Sequence, residues 1–110
     1  MTDKIVVLST CGSAQEAEKI ARTLVEKRLA ACVNIVPGMR SVYHWKGAIE
    51  DASEWLLLIK SKRELFEKLC AELAGLHSYE TPEIVALPIV EGSESYLNWM
   101  EAELQSTRRA

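Results

Sequence analysis

Three short segments of this chain are apolar at odd and even positions alike: Ile5-Val6-Val7-Leu8, Leu56-Leu57-Leu58-Ile59 and Ile84-Val85-Ala86-Leu87. Side chains of a strand point alternately to the two sides of its sheet, so a sheet with one wet face reads apolar, polar, apolar. Segments without that alternation require cover on both faces. Two helical stripes lie between them. Ala17, Ile20, Ala21, Leu24, Val25 and Leu29 recur at intervals of three and four, with Glu18, Lys19, Arg22, Glu26 and Lys27 on the other side. Leu65, Phe66, Leu69, Cys70, Leu73 and Leu76 form the second stripe.

Turn signals put these pieces in order. Lys4 to Thr10 reads as a strand broken by Cys11-Gly12, and Ser13 to Glu16 as a capping box in which each side chain satisfies the other's free amide. Ser61 to Glu64 repeats the pattern before the second helix. Ala31 to Trp45 reads as one long strand bent at Pro37-Gly38. Lys46-Gly47-Ala48 opens a connection in which Glu50, Asp51 and Glu54 form a solvated turn, and a second strand ends in Ile59, making an antiparallel hairpin. A polar loop, His77 to Pro82, precedes a last strand, Glu83 to Val90, where Pro88 demands an edge or a bulge. A short helix carrying Tyr96, Leu97, Trp99, Met100 and Leu104 closes the chain.

The order β-α-β-β-α-β plus a C-terminal helix is the ferredoxin-like split βαβ of the α+β class: one antiparallel sheet with a long hairpin, in a single domain over residues 1–110. Right-handed crossovers put both long helices on one face of that sheet. A single short helix cannot cover the other. The hairpin adds Tyr43, Trp45 and Trp55, each with about 150–250 Å² of surface to bury. Further copies of the same chain are the economical cover, with these three aromatics at the interface.

Composition narrows the function. With 48% hydrophobic residues the chain has the means for its own core, and 13 Lys+Arg against 16 Asp+Glu leave a net charge of −3. Phosphate backbones and anionic lipid select a basic excess that is absent here, so neither nucleic acid nor membrane is an expected partner. No apolar run approaches the roughly 18–20 residues of a membrane span, and residues 1–4 show no basic segment leading into an apolar one; a cytoplasmic location is expected. Cys11, Cys32 and Cys70 are odd in number, widely spaced and outside any CxxC pair, which reads as reduced thiols, with Cys32 and Cys70 at core-patterned positions.

Few residues carry chemistry. Cys11 sits in a turn at the head of a helix, where free amides and the dipole favour a thiolate; it reads as a metal ligand, a nucleophile or a small residue in a tight turn. His77, just after the second helix, suits metal ligation or capping of the last carbonyls. His44 belongs to solvent or a subunit boundary, and Lys60, at a strand end, faces solvent or a pocket. Glu80 and Glu83 flank Thr81-Pro82. Two histidines at these spacings assemble no Ser-His-Asp set, HExxH or P-loop, so no enzymatic activity is expected.

The runs Asn34-Ile35-Val36-Pro37-Gly38, Tyr43-His44-Trp45-Lys46-Gly47 and Tyr79-Glu80-Thr81-Pro82-Glu83, with Tyr96 to Met100, closely resemble the CutA family of divalent-cation tolerance proteins over nearly the whole chain. The resemblance implies a ferredoxin-like fold in a homotrimer similar in architecture to PII-type signalling proteins, without catalytic activity. It implies a role in tolerance to copper and other divalent ions; such an ion is expected to be bound weakly and not to be needed for folding. The ligands suggested for copper-binding members are a cysteine near the end of the first strand and a histidine pair before the Y-x-T-P run. Here the cysteine position falls on Ser9, with Cys11 two residues later, and the pair is Leu76-His77, so His77 carries over and Cys11 is the candidate second ligand. Two further function classes stay open. One is a trimeric sensor of a small anionic metabolite, with Lys60, Tyr79, Glu80 and Thr81 lining a cleft between subunits; the other is a protein-binding scaffold.

Overall fold

The computed structural model describes residues 2–106. The elements run β1 (Lys4–Cys11), α1 (Ala14–Glu26), β2 (Cys32–Trp45), β3 (Ala48–Lys62), a 3₁₀ turn (Arg63–Leu65) leading into α2 (Phe66–Leu76), β4 (Val85–Pro88) and α3 (Glu94–Glu103). They form one open four-stranded sheet in the order β2-β3-β1-β4. Each neighbouring pair is antiparallel. This is the mixed α+β order expected from the sequence, and Pro88 lies in an edge strand, where its missing N–H breaks no ladder.

Register sorts the apolar residues into two sets. Val7 stands opposite Ile59 and Ala86, and Val33 also opposite Ile59, so these share one face. That face meets the helices: Ile20, Leu24, Leu57, Ile59, Leu69 and Leu73 are fully buried together. Val6 stands opposite Leu87, and Leu8 opposite Leu58 and Val85, on the other face. There Val85 and Leu87 keep 47% and 51% of their surface exposed. A single chain thus covers one apolar face and leaves the second open, which is the imbalance that the non-alternating strands foretold.

Several local expectations need correction. Ser61 does not cap α2; its hydroxyl is buried and donates to the Leu29 carbonyl at 2.6 Å, tying β3 to the end of α1, while the residue before the 3₁₀ turn, Lys62, makes no side-chain cap. The hairpin connection is only Lys46-Gly47, both at positive φ, the geometry that matches strand twist in a two-residue turn. Glu50, Asp51 and Glu54 are therefore strand residues; Asp51 pairs with Arg40 across the ladder, and Glu54 is 4% exposed. Cys32 and Cys70 are half-buried at the margin of the core, and the fully buried cysteine is Cys11. Three thiols are free.

The C-terminal helix closes the end of the sheet. Glu101 accepts from Lys4 at 2.9 Å and from Lys62 at 3.1 Å, two ammonium groups on nearly buried side chains. Burial opposes the charge on Lys4, but its hydrogen bonds with Asp3 and Glu101 outweigh that and hold it above the usual lysine value. The same bonds from Lys4 and Lys62 draw the Glu101 carboxyl below its ordinary value.

Candidate metal centre

Cys11 is the last residue of β1 and fully buried. The chain turns at Gly12 and enters α1, where the Ser13 hydroxyl accepts from the Glu16 amide at 3.1 Å. The return half of the expected capping box is not made. Glu16 instead reaches across to the loop after α2: one carboxylate oxygen accepts from the Ser78 amide at 3.1 Å. The other, Oε1, is buried, has no hydrogen bond, and lies 3.8 Å from His77 Nδ1.

His77 caps α2 through its backbone, its N–H donating to Leu73 O, while its side chain is fully buried. Nδ1 accepts from the Tyr79 amide at 3.0 Å. The ring proton therefore sits on Nε2, which donates to the Thr10 carbonyl at 2.6 Å. Nε2 also lies 4.0 Å from Cys11 Sγ. Donor atoms of Cys11, Glu16 and His77 thus gather within 4.8 Å of one another. Sequence reasoning named Cys11 and His77 and missed Glu16, whose place in the capping pattern concealed a second use. Ser9, at the family's cysteine position, is buried on the helix side with its hydroxyl unbonded.

Tyr79 roofs this cluster. Its ring packs at a tilt against His77, centroids 4.7 Å apart, and its hydroxyl donates to Glu54 Oε2 at 2.7 Å. A side chain at Gly12 would put a Cβ 3.0 Å from the phenol oxygen, so a glycine there leaves room for the tyrosine. Burial, followed by the bond to Glu54, pushes the Tyr79 hydroxyl above its usual range and keeps it a donor. Burial and then the charges of Glu16 and Glu54 push the Cys11 thiol up to about 12.

A folded-state value above the unfolded one means that the native state holds its proton longer, so stability falls as pH rises through that interval. Stability is expected to decline between pH 9 and about 12, measured by urea melts, and Cys11→Ala to flatten that decline. Tyr79 and Lys4 slope the same way and leave a remainder.

Beyond Tyr79 opens a cleft of about 720 Å³ lined by Tyr79, Glu80 and Thr81, with Tyr43 and Trp45 from the hairpin and Glu54 from β3. Lys60 is not among its walls in one chain; six residues further along β3, it stands opposite Val6 and Cys32, its ammonium 5.6 Å from the Tyr96 ring. Trp55 sits opposite Cys11 and packs on the core, while Tyr43 and Trp45 are each 41% exposed. His44 is exposed on the hairpin. Glu54 is the second residue that pattern reading missed, because an acid beside a hairpin reads as surface.

Residues 5–103 match the family model described as CutA1 divalent ion tolerance protein. The chain is 53% identical over 95 residues to the divalent-cation tolerance protein CutA of Thermus thermophilus, covering 86% of this chain and 92% of that one. It is 45% identical to the chloroplastic CutA of Arabidopsis thaliana over 88% of this chain, which corresponds to 53% of the plant protein. Among solved structures, the Thermus thermophilus Cut A1 superposes with a TM-score of 0.90 at 49% identity, covering 93% of this chain and 99% of that one. CutA from Xylella fastidiosa gives 0.92 at 39% identity, over 94% and 100% of the two chains. A split βαβ sheet, the motif runs of the hairpin and the His77–Thr81 loop, and a match spanning nearly every element together place this chain in the CutA1 divalent ion tolerance protein family.

Proposed function

We propose that the protein serves divalent-cation tolerance by binding a soft or borderline ion, copper above all, at Cys11, Glu16 and His77. The observation that carries this reading is the convergence of the three donors around a buried carboxylate oxygen with no hydrogen bond. Thiolate sulfur and imidazole nitrogen match copper or zinc in softness, with a carboxylate as the harder partner. Bond lengths of about 2.3 Å to sulfur and about 2.0 Å to nitrogen set such donors about 3.5 Å apart at a tetrahedral centre. The 4.0 Å between Sγ and Nε2 is close to that, so modest side-chain movement suffices.

Binding has costs. It must displace the thiol proton that burial retains, release Nε2 from Thr10 and move the ring proton from Nε2 to Nδ1, which gives up the bond from the Tyr79 amide, so affinity is modest at neutral pH and rises with pH. Calorimetric titration of copper into the native protein, Cys11→Ala and His77→Ala is expected to show one saturable event in the first, weakened at least tenfold in both variants. Identical isotherms would sink the site.

The open sheet face favours a homotrimer, and the proposed role is binding rather than turnover. Free thiols suit a cytoplasmic setting. The reading as a sensor of anionic metabolites loses ground to the cleft itself, whose walls include Glu54, Glu80 and Glu83 against Lys46.

A further inference from the structure

We infer that the cleft between the hairpin and the His77–Thr81 loop is a second, separate binding site, and that its ligand is a small organic ammonium ion on an aryl or alkyl body. It does not rest on the metal reading, because none of its groups is Cys11, Glu16 or His77.

Glu54 carries the argument. It is 4% exposed, and its one hydrogen bond comes from the neutral Tyr79 hydroxyl, leaving its second oxygen without one. Among the described residues no lysine, arginine or histidine pairs with it. A carboxylate this buried with no cation beside it calls for one. It lines a cleft that is open in a single chain, so that cation can come from outside.

The walls say what kind. Trp45 already holds an ammonium near its face, since Lys46 Nζ lies 5.8 Å from the ring centroid, within cation–π range. Tyr43 stands on the same side of the hairpin, at the alternate position. Glu80 and Glu83 add two exposed carboxylates to the lining, and Lys46 is its sole cation. A volume of about 720 Å³ suits a molecule of drug or metabolite size, and would leave a lone metal ion surrounded mostly by water. Acid, aromatic wall and volume together select an organic cation.

The probe is 2-phenylethylammonium chloride, titrated into the native full-length protein and followed by calorimetry and by the indole N–H resonance of Trp45, assigned with Trp45→Phe. Saturable binding is expected, with 3-phenylpropionate at the same concentrations giving none. Glu54→Gln, which can still accept from Tyr79, should weaken binding at least tenfold. Lys46→Met should tighten it about threefold by removing the internal competitor. Should Glu54→Gln melt early, the exposed pair Glu80→Gln with Glu83→Gln replaces it and should weaken binding about threefold. The proposal is overturned by an absence of saturation, whether the cleft is empty or filled by another copy of the chain. Phenylpropionate binding as tightly overturns it, and so does calcium chloride displacing the probe at equal concentration, which would mark an inorganic cation site.

Discussion

Replacing His77 with alanine is expected to cost about 2–4 kcal/mol of unfolding free energy, among the largest effects of any single change outside the hydrophobic core. The ring is fully buried and uses both nitrogens, accepting from the Tyr79 amide and donating to the Thr10 carbonyl. Truncation strands both backbone groups, and each buried group without a partner costs about 1–3 kcal/mol. It also removes the surface on which Tyr79 packs, loosening the Tyr79–Glu54 bond. A thermal midpoint lower by roughly 10 °C would follow for a domain of this size. His77→Gln, able to replace one of the two bonds, should recover about half. A loss under about 1 kcal/mol in urea melts would mean that the ring is a passenger and that water takes its place.

The second large effect concerns assembly. Leu58 lies on the sheet face away from the helices, opposite Leu8 and Asn34 and in the middle of β3. In a trimer built on that face, Leu58→Asp would bury a carboxylate among Val6, Leu8 and Leu56 at a cost of several kcal/mol. The native protein is expected to sediment at about three times its 12.3 kDa chain mass, and the variant at the mass of one chain with its far-ultraviolet dichroism retained. Retention is expected because the helix-side core, Leu57 and Ile59 with their helical partners, is untouched. A native protein that sediments as a single chain at micromolar concentration removes the trimer.

What the sequence disclosed and what it hid follow from the range of the forces involved. Strand order, both long helices and the edge position of β4 rest on local periodicity and on Pro88, and they were legible. So was the nearness of Cys11 and His77, though through the family resemblance rather than through any spacing rule. Glu16 and Glu54 were not. Their short-range context, a helix head and a hairpin, has a bland explanation, whereas their actual partners, Ser78 and Tyr79, lie 62 and 25 residues away. Ser61 was misread for the same reason: its hydroxyl answers Leu29, not the helix that follows it. Long-range polar bonds leave no periodic trace.

The bend at Pro37-Gly38 is a change of phase. Val36 stands opposite Leu56 and Met39 opposite Glu54, so β2 advances three residues while β3 advances two. Before the bend the even-numbered residues of β2 share a side with Leu56 and Leu58; after it the odd-numbered ones do, bringing Tyr43 and Trp45 round to the side of Glu54. Deleting one residue there would leave Val36 opposite Leu56, Met39 opposite Glu54 and both aromatics on the Glu54 side, and would remove only the bulge and the extra twist it brings. One inserted residue thus lets a row at even positions of β2, Asn34 and Val36, and an aromatic row at odd positions, Tyr43 and Trp45, lie on the same side of β3.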